Sequence, residues 1–301
     1  LLFRSNTARI TKRTPQEKRN RQLARLTKAQ RKHHQEAEDL LARGGLDAEE
    51  QTFVIDNWHE GARHMNGAHG AHFTPYEMAF HLAIEVDARR VLDLCAGIGA
   101  LSVGVLHHSP RDIEEMVLVE LNPDYAAIAR KLLPQAEVIV GSVYDRGLIA
   151  ELASRNFTTV ISNPPFGSNA KDGERGPRYR GDMDYEVIDI ASDLAPHGVF
   201  IIPQSRLPFA YSGQETLKRT DNPKYHKFSE ATDIELEMNL GIDTSNMPFR
   251  DVKIAVEIAI ADFALTQERR RAKTGPADVV GKFEAKTSTK QGNQYDMFAA
   301  A

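Results

Sequence analysis

Cysteine is almost absent: Cys95 is the single one among 301 residues, so no internal disulfide can form. A chain of this size without disulfides suits a reducing, cytoplasmic compartment. Long apolar runs are also missing, and nothing approaches the roughly 18 residues a membrane-spanning helix needs. Leu1-Leu2-Phe3-Arg4 is too short and too soon charged to read as a signal peptide. Neither sign of charge dominates. The formal net charge of −4 gives no whole-molecule pull toward nucleic acid, so any such pull must be local. No internal repeat is present. Hydrophobic residues make up 41%, modest but sufficient for one large domain with appendages.

Proline, by contrast, occurs as a consecutive pair in Ile161-Ser162-Asn163-Pro164-Pro165-Phe166. The preceding Phe157-Thr158-Thr159-Val160 is apolar and β-prone and reads as a buried strand. Neither proline has an N–H to give a ladder, so the strand must end there in a stiff, extended shape. Pro164 also turns Asn163 away from helical angles. The result is a rigid platform of the Asn163 amide, the Pro164 carbonyl, Pro165 and the Phe166 ring. Such a set can accept two hydrogen bonds from a planar amine and stack on the ring that carries it. A plain proline-rich loop end would look the same, so the weight falls on the residues upstream.

Upstream, the apolar Val91-Leu92-Asp93-Leu94 runs through Cys95-Ala96 into Gly97-Ile98-Gly99 and then a helix-like stretch from Ala100. Glycines let backbone approach a ligand at the mouth of a strand-to-helix turn. Ser102 stands where a dinucleotide fingerprint wants a third glycine, which argues against a pyrophosphate cradle. Val117-Leu118-Val119-Glu120 reads as a second strand ending in a carboxylate, placed to grip a ribose diol. The ligand these features suit is a nucleoside without a diphosphate. An ordinary strand–turn–helix with a surface acid is the bland alternative. Cys95 reads as a small buried loop residue, not a nucleophile.

Together, Asp93 to Gly99, Glu120 and Asn163 to Phe166 resemble the motifs of class I S-adenosylmethionine-dependent methyltransferases. The Asn-Pro-Pro-Phe form resembles the amino-group enzymes, chiefly those acting on N6 of adenine and carried by phages and plasmids. Phe73-Thr74-Pro75 is similar to a segment these enzymes carry ahead of the glycine loop, and order and spacing agree from about Phe53 to Phe263. The resemblance implies an α/β fold with a Rossmann-like seven-stranded methyltransferase sheet, helices on both faces, and here a basic helical N-terminal extension. It implies S-adenosyl-L-methionine as cofactor. The residues implied to hold it are Phe73, Thr74, Pro75, Asp93, Cys95, Ala96, Gly97, Gly99, Glu120, Leu121, Ser142, Val143 and Asn163. Asn163, Pro164, Pro165 and Phe166 are implied to serve catalysis. The family often carries an acid where this chain has Ser142; Asp145 or a backbone group is the substitute expected for the cofactor's adenine amine.

The chain divides accordingly into an extension over 1–50, a methyltransferase domain over 51–265 and a polar tail over 266–301. Between Arg4 and Lys32 basic residues crowd around a single acid, Glu17. A helix is expected between Pro15 and Ala42, closed by Gly44-Gly45, as either a solvated basic helix or a phosphate-binding arm. Further helices are expected over Leu46 to Ala62 with Asp47 as cap, Tyr76 to Glu85, Tyr125 to Leu133 and Asp184 to Leu194. Strands are expected at Glu137 to Val140, Gly198 to Ile202, Ile234 to Met238 and Val252 to Phe263. His59, His64, His69 and His72 do not have the spacing of a metal site. The loop from Gly167 to Gly181 carries Lys171, Arg175, Arg178 and Arg180, either to grip a nucleic-acid backbone or as a plain surface loop. Pro203 to Arg219 reads as irregular, with Arg206, Phe209 and Tyr211 facing an extruded base or, for Phe209, filling core. From Thr266 the composition predicts disorder.

The reading reached is methyl transfer to an exocyclic amine, N6 of adenine in DNA. RNA and protein glutamine are rival substrates. A non-enzymatic cofactor-binding adaptor is disfavoured, because it has no need of Asn163 and Phe166. Gln294-Tyr295-Asp296-Met297-Phe298 resembles the short peptides that dock on bacterial sliding clamps, through Gln294, Met297 and Phe298. A chance match in a polar terminus is the competing explanation.

Overall fold

Two capped helices precede the sheet in the computed structural model, which describes residues 26–59, 73–167, 175–247, 249 and 254–274. Helix α1 spans Lys28–Arg43 and α2 Ala48–Asn57. Each opens with a capping box, Thr27 with Gln30 and Asp47 with Glu50. Helix α1 begins at Lys28, where Thr27 supplies the cap, and Gly44 closes it at φ +71°; the part of the expected helix before residue 26 lies outside the described residues. Residues 1–25, with most of the basic run, lie outside the described residues. Helix α2 stops short of Ala62 because Trp58 turns extended. The Trp58 indole donates to Glu38 and its ring meets Phe73 and Tyr125 edge-on. Ala37 and Leu41 of α1 share one core with Val54, Ile55 and the sheet. The described part of the extension is therefore packed on the domain, and the boundary expected at residue 50 falls inside a continuous core.

Seven strands form the main sheet: β1 (Arg90–Leu94), β2 (Glu115–Glu120), β3 (Glu137–Val140), β4 (Thr159–Ser162), β5 (His197–Pro203), β8 (Glu237–Met238) and β9 (Val256–Asp262). Their order is β3-β2-β1-β4-β5-β9-β8, and a separate two-stranded hairpin joins β6 (Phe209–Ala210) to β7 (Lys218–Arg219). The first five strands pair in parallel, and β9 runs antiparallel to both β5 and β8. This is the Rossmann-like seven-stranded sheet that the resemblance implied.

The period of two in a strand sorts neighbouring residues into two cores. Val91, Leu118, Ile161 and Ile201 enter one core, with α3 (Tyr76–Ile84), α4 (Ala100–His108) and α5 (Pro123–Leu132). Leu92, Val117, Val160 and Ile202 enter the other, with α6 (Arg146–Ala153), α7 (Met183–Ala191), α8 (Pro223–Thr232) and α9 (Phe263–Thr274). A sheet covered on both faces explains why its strands read as unbroken apolar runs.

The structure departs from expectation toward the C-terminal side. The strand expected over Ile234 to Met238 shrinks to Glu237–Met238, because Ile234 and Leu236 sink into the α8 core and the Leu236 N–H donates to the Tyr225 hydroxyl. The last strand begins at Val256. Helix α8 was not expected, although Asn222 caps it and Pro223 takes its first position, a legible start. Helix α9 corrects the disorder expected from Thr266. Asp262 accepts the Leu265 N–H, Gln267 donates to the Ser192 carbonyl and Arg270 to that of Thr232, so polar side chains hold a polar helix to Thr274. The clamp-like peptide at Gln294 to Phe298 lies outside the described residues.

Helices α3 and α4 meet at a glycine. A Cβ on Gly104 would stand 2.6 Å from the Ala79 carbonyl oxygen, which is backbone and cannot rotate away. Gly104→Ala is expected to destabilise the protein by about 1–3 kcal/mol through overpacking, read from the midpoint of urea unfolding. An unchanged midpoint would mean that the helices separate freely.

Candidate functional site

Chain order runs outward from β1 through β2 and β3 on one side and from β4 through β5 on the other, so the switch point lies between β1 and β4. Leu94 sits opposite both Val119 and Ser162, and Glu120 opposite Val140. The loops at the ends of these strands therefore leave the sheet together: Cys95 to Gly99, Leu121, Gly141 to Val143, and Asn163 to Phe166. Leu94 and Ser162, 68 residues apart in sequence, become neighbours through register alone.

The glycine loop is left-handed at Cys95, Gly97 and Gly99, with φ of 59°, 59° and 90°. A side chain at Gly97 would come within 3.1 Å of the Phe73 ring, so Phe73 lies against bare backbone there. Cys95 holds a conformation that costs a non-glycine residue about 1–3 kcal/mol, a feature the sequence did not reveal. Burial first, then Glu120 and Asp93, push its thiol up, which keeps it protonated and unfit as a nucleophile.

Two carboxylates flank this loop. Glu120 accepts the Gly97 N–H on Oε2 and the Asn122 N–H on Oε1, each at 2.7 Å, and burial nonetheless raises its pKa. Each oxygen keeps a further lone pair for a hydroxyl donor. Asp93 is fully buried; its Oδ2 accepts the Ser102 hydroxyl at 2.7 Å and its Oδ1 has no partner among the described residues. Loss of water raises its pKa to about 7, against the Ser102 bond and with the help of Glu120. Ser102, which spoils a dinucleotide fingerprint, thus serves as the partner of Asp93. Beyond Glu120, Leu121 is 53% and Val140 45% exposed, an apolar pair at the edge of the loop. Ser142 accepts the Tyr144 N–H, and Asp145, the expected substitute for an adenine contact, caps α6 by accepting from Gly147 and Leu148. This cap makes Asp145 part of the helix start, and α6 itself was not expected.

On the platform, Asn163 Nδ2 donates to Thr74 Oγ1 at 3.0 Å. That bond orients the amide: the nitrogen faces Thr74, and the oxygen is the opposite arm. Phe166 meets Phe249 edge-on at 6.3 Å between ring centroids. Phe73, Thr74 and Pro75 thereby join both halves of the site, the first at Gly97 and the second at Asn163.

Past the platform, the Gly167 carbonyl accepts the Met183 N–H at 2.8 Å. Lys171 lies outside the described residues. Arg178 is exposed, and its guanidinium pairs with Asp189 and Asp193. Arg206 is enclosed by Asp182 and Asp184. Phe209 is fully buried and fills core, so it meets no extruded base. Arg175 and Arg180 are exposed. Sequence reasoning missed the groups that shape this region. Glu186 accepts N–H bonds from Gly176 and Gly181, Asp189 from Arg178 and Tyr179, and Glu257 from Tyr211 and Ser212. The acids Asp184, Glu186 and Asp189 interleaved with Val187, Ile188 and Ile190 in one helix were the clue. No helix among the described residues is long and apolar enough to cross a membrane.

Residues 78–175 match the family model of the methyltransferase small domain. The matched span takes in the glycine loop, both carboxylates and the whole platform. A release factor glutamine methyltransferase from Deinococcus radiodurans is 31% identical over 128 residues, 39% of this chain and 45% of that protein. A second, from Corynebacterium glutamicum, is 35% identical over 95 residues, 30% of this chain and 33% of that protein. The chain thus spans less than half the length of these curated relatives. Among solved structures, a modification subunit of a putative type I restriction enzyme from Vibrio vulnificus superposes with a TM-score of 0.49 at 13% identity, over 73% of this chain and 50% of that one.

Asp93 yields a pH prediction. Its folded pKa of about 7 lies above the ordinary carboxylate value near 4, so the folded protein binds the extra proton between those pH values. Stability from this group is fully present below about pH 4 and falls as pH rises to about 7. Thermal melts of Asp93→Asn, which keeps an oxygen for Ser102, are expected to lose that decline. Parallel Tm–pH curves for both proteins would refute it.

Proposed function

We propose that this chain transfers a methyl group from S-adenosylmethionine to an exocyclic amine, N6 of adenine in DNA. The observation that carries the reading is the β1–β4 register, which sets the Asn163 amide beside the glycine loop with its orientation held by Thr74. The residues present fit the cofactor. Gly97 offers bare backbone, Glu120 has lone pairs for a ribose diol, Leu121 and Val140 offer an apolar edge for a nucleobase, and the unpartnered Asp93 oxygen awaits a donor. When bound, S-adenosylmethionine supplies an electrophilic methyl group on its sulfonium.

The chain's own part is to prepare the amine. An exocyclic amine is a poor nucleophile because its lone pair is spread into the ring. The Asn163 amide oxygen and the Pro164 carbonyl accept its two N–H groups, which favours a pyramidal, electron-richer nitrogen. The same acceptors stabilise positive charge as it develops there. Phe166 stacks on the base and fixes the approach. No strong base is required, since the methylated cationic amine loses its proton readily.

A glutamine side-chain amide is the second reading, favoured by the two curated relatives, both glutamine methyltransferases by name. It too presents a planar NH2 to the same pair of acceptors. Matched DNA, RNA and glutamine-containing peptides, each offered with labelled cofactor, separate these substrates; label in peptide alone would overturn the adenine reading.

Within the proposed mechanism, Glu120→Ala is expected to weaken cofactor binding by about 1–3 kcal/mol, measured by calorimetry. Asn163→Ala is expected to leave that binding nearly intact and lower kcat by roughly a hundredfold or more. Near-normal turnover in Asn163→Ala would remove the amide from the mechanism.

A further inference from the structure

The hairpin after β5 and the start of α8 carry basic side chains that the expected DNA contacts did not include. Lys218, Arg219, Lys224 and Lys227 are exposed, as is Arg180 on the segment leading to α7. Among the described residues, Arg180, Lys218, Arg219 and Lys227 have no ion-pair partner. Lys218 donates only to the Gln214 amide, and Lys227 stands 5.9 Å over the Tyr179 ring. The acids close by are already engaged or few. Asp182 is shared by Arg206 and Lys224, Asp221 pairs with His226, and Glu215 and Glu230 remain.

These cations are joined to the platform by a short chain of contacts. Gly167, directly after Phe166, accepts the Met183 N–H; the adjoining Asp182 binds Lys224. Lys227 follows Lys224 by three residues, on the same face of α8. Asn222, at the head of that helix, donates to the Ser205 carbonyl, which ties the helix start to the segment leaving β5. The hairpin strand ending at Arg219 adjoins this helix start. A run of positive charge therefore begins beside the platform and extends outward across two elements, on a molecule whose net charge is −4.

We propose that this face binds the phosphate backbone of the nucleic acid whose base enters the site. The proposal rests on the nucleic-acid reading of the preceding section. It adds to Arg178 and Arg206, whose guanidinium groups are paired with carboxylates, side chains whose charge has no such partner among the described residues. A surface of this kind positions a strand without reading its sequence.

The test is a triple variant, Lys218→Gln/Arg219→Gln/Lys227→Gln, which leaves the site residues untouched. Affinity for an adenine-containing oligonucleotide is measured against salt concentration, with cofactor affinity and Tm as controls. Losing three phosphate contacts is expected to flatten the log–log salt slope by roughly 2 to 3 and to weaken binding roughly tenfold or more at low salt. Cofactor affinity should not move, and Lys218→Arg/Arg219→Lys/Lys227→Arg should keep the wild-type slope. An unchanged slope in the glutamine variant, with steep wild-type binding, overturns this surface and leaves the adenine reading standing. A wild type that binds no nucleic acid and methylates a glutamine peptide overturns that reading, and the surface with it.

Discussion

A parallel pair of strands points both ends the same way, and the site depends on that for β1 and β4. Four register pairs run from Val91 with Thr159 to Leu94 with Ser162, and the Ser162 hydroxyl donates to the Leu94 carbonyl at the last of them. Beyond it Pro164 and Pro165 have no N–H to offer, so β4 leaves the ladder at the level where the glycine loop leaves β1. A one-residue slip would turn Ile161 toward the wrong core and drag Asn163 out of reach of Thr74. Fold and site geometry are thus secured by the same alternation of apolar side chains.

Around that frame, buried acids do work that strand pairing does elsewhere. Glu186, Asp189 and Glu257 are fully buried, and each gathers backbone N–H groups from a segment at the edge of the site. Charge-assisted bonds of this kind hold a loop in place without making it a strand. Asp93 is equally buried, but of these four it alone retains an oxygen without a partner among the described residues. Asp93 is thus satisfied differently from these three acids, each of which holds backbone of a neighbouring segment.

Much of this was legible in the sequence because local chemistry and tertiary demand agree. The apolar runs, the Asp47 cap, the glycine loop and the double proline each carry a meaning that does not depend on distant partners. The features that were missed depend on contacts across the chain. Helix α9 is polar and reads as disorder until Ser192 and Thr232 offer carbonyls to it. The carboxylate partners of Arg178 and Arg206 become neighbours only after folding, so these ion pairs cannot be read from the sequence. Ile234 and Leu236 alternate like strand residues, yet the side of α8 takes them as core.

The hydrogen bond from Asn163 to Thr74 spans 89 residues of sequence and joins the segment lying against the glycine loop to the proline platform. A displacement of Phe73 to Pro75 that kept this bond would carry the Asn163 amide with it, and would couple whatever binds at the two halves. Linkage makes the effect mutual: whatever free energy the first ligand lends to the second, the second returns to the first. The order in which the two ligands bind can then differ without changing the stability of the complex they form together.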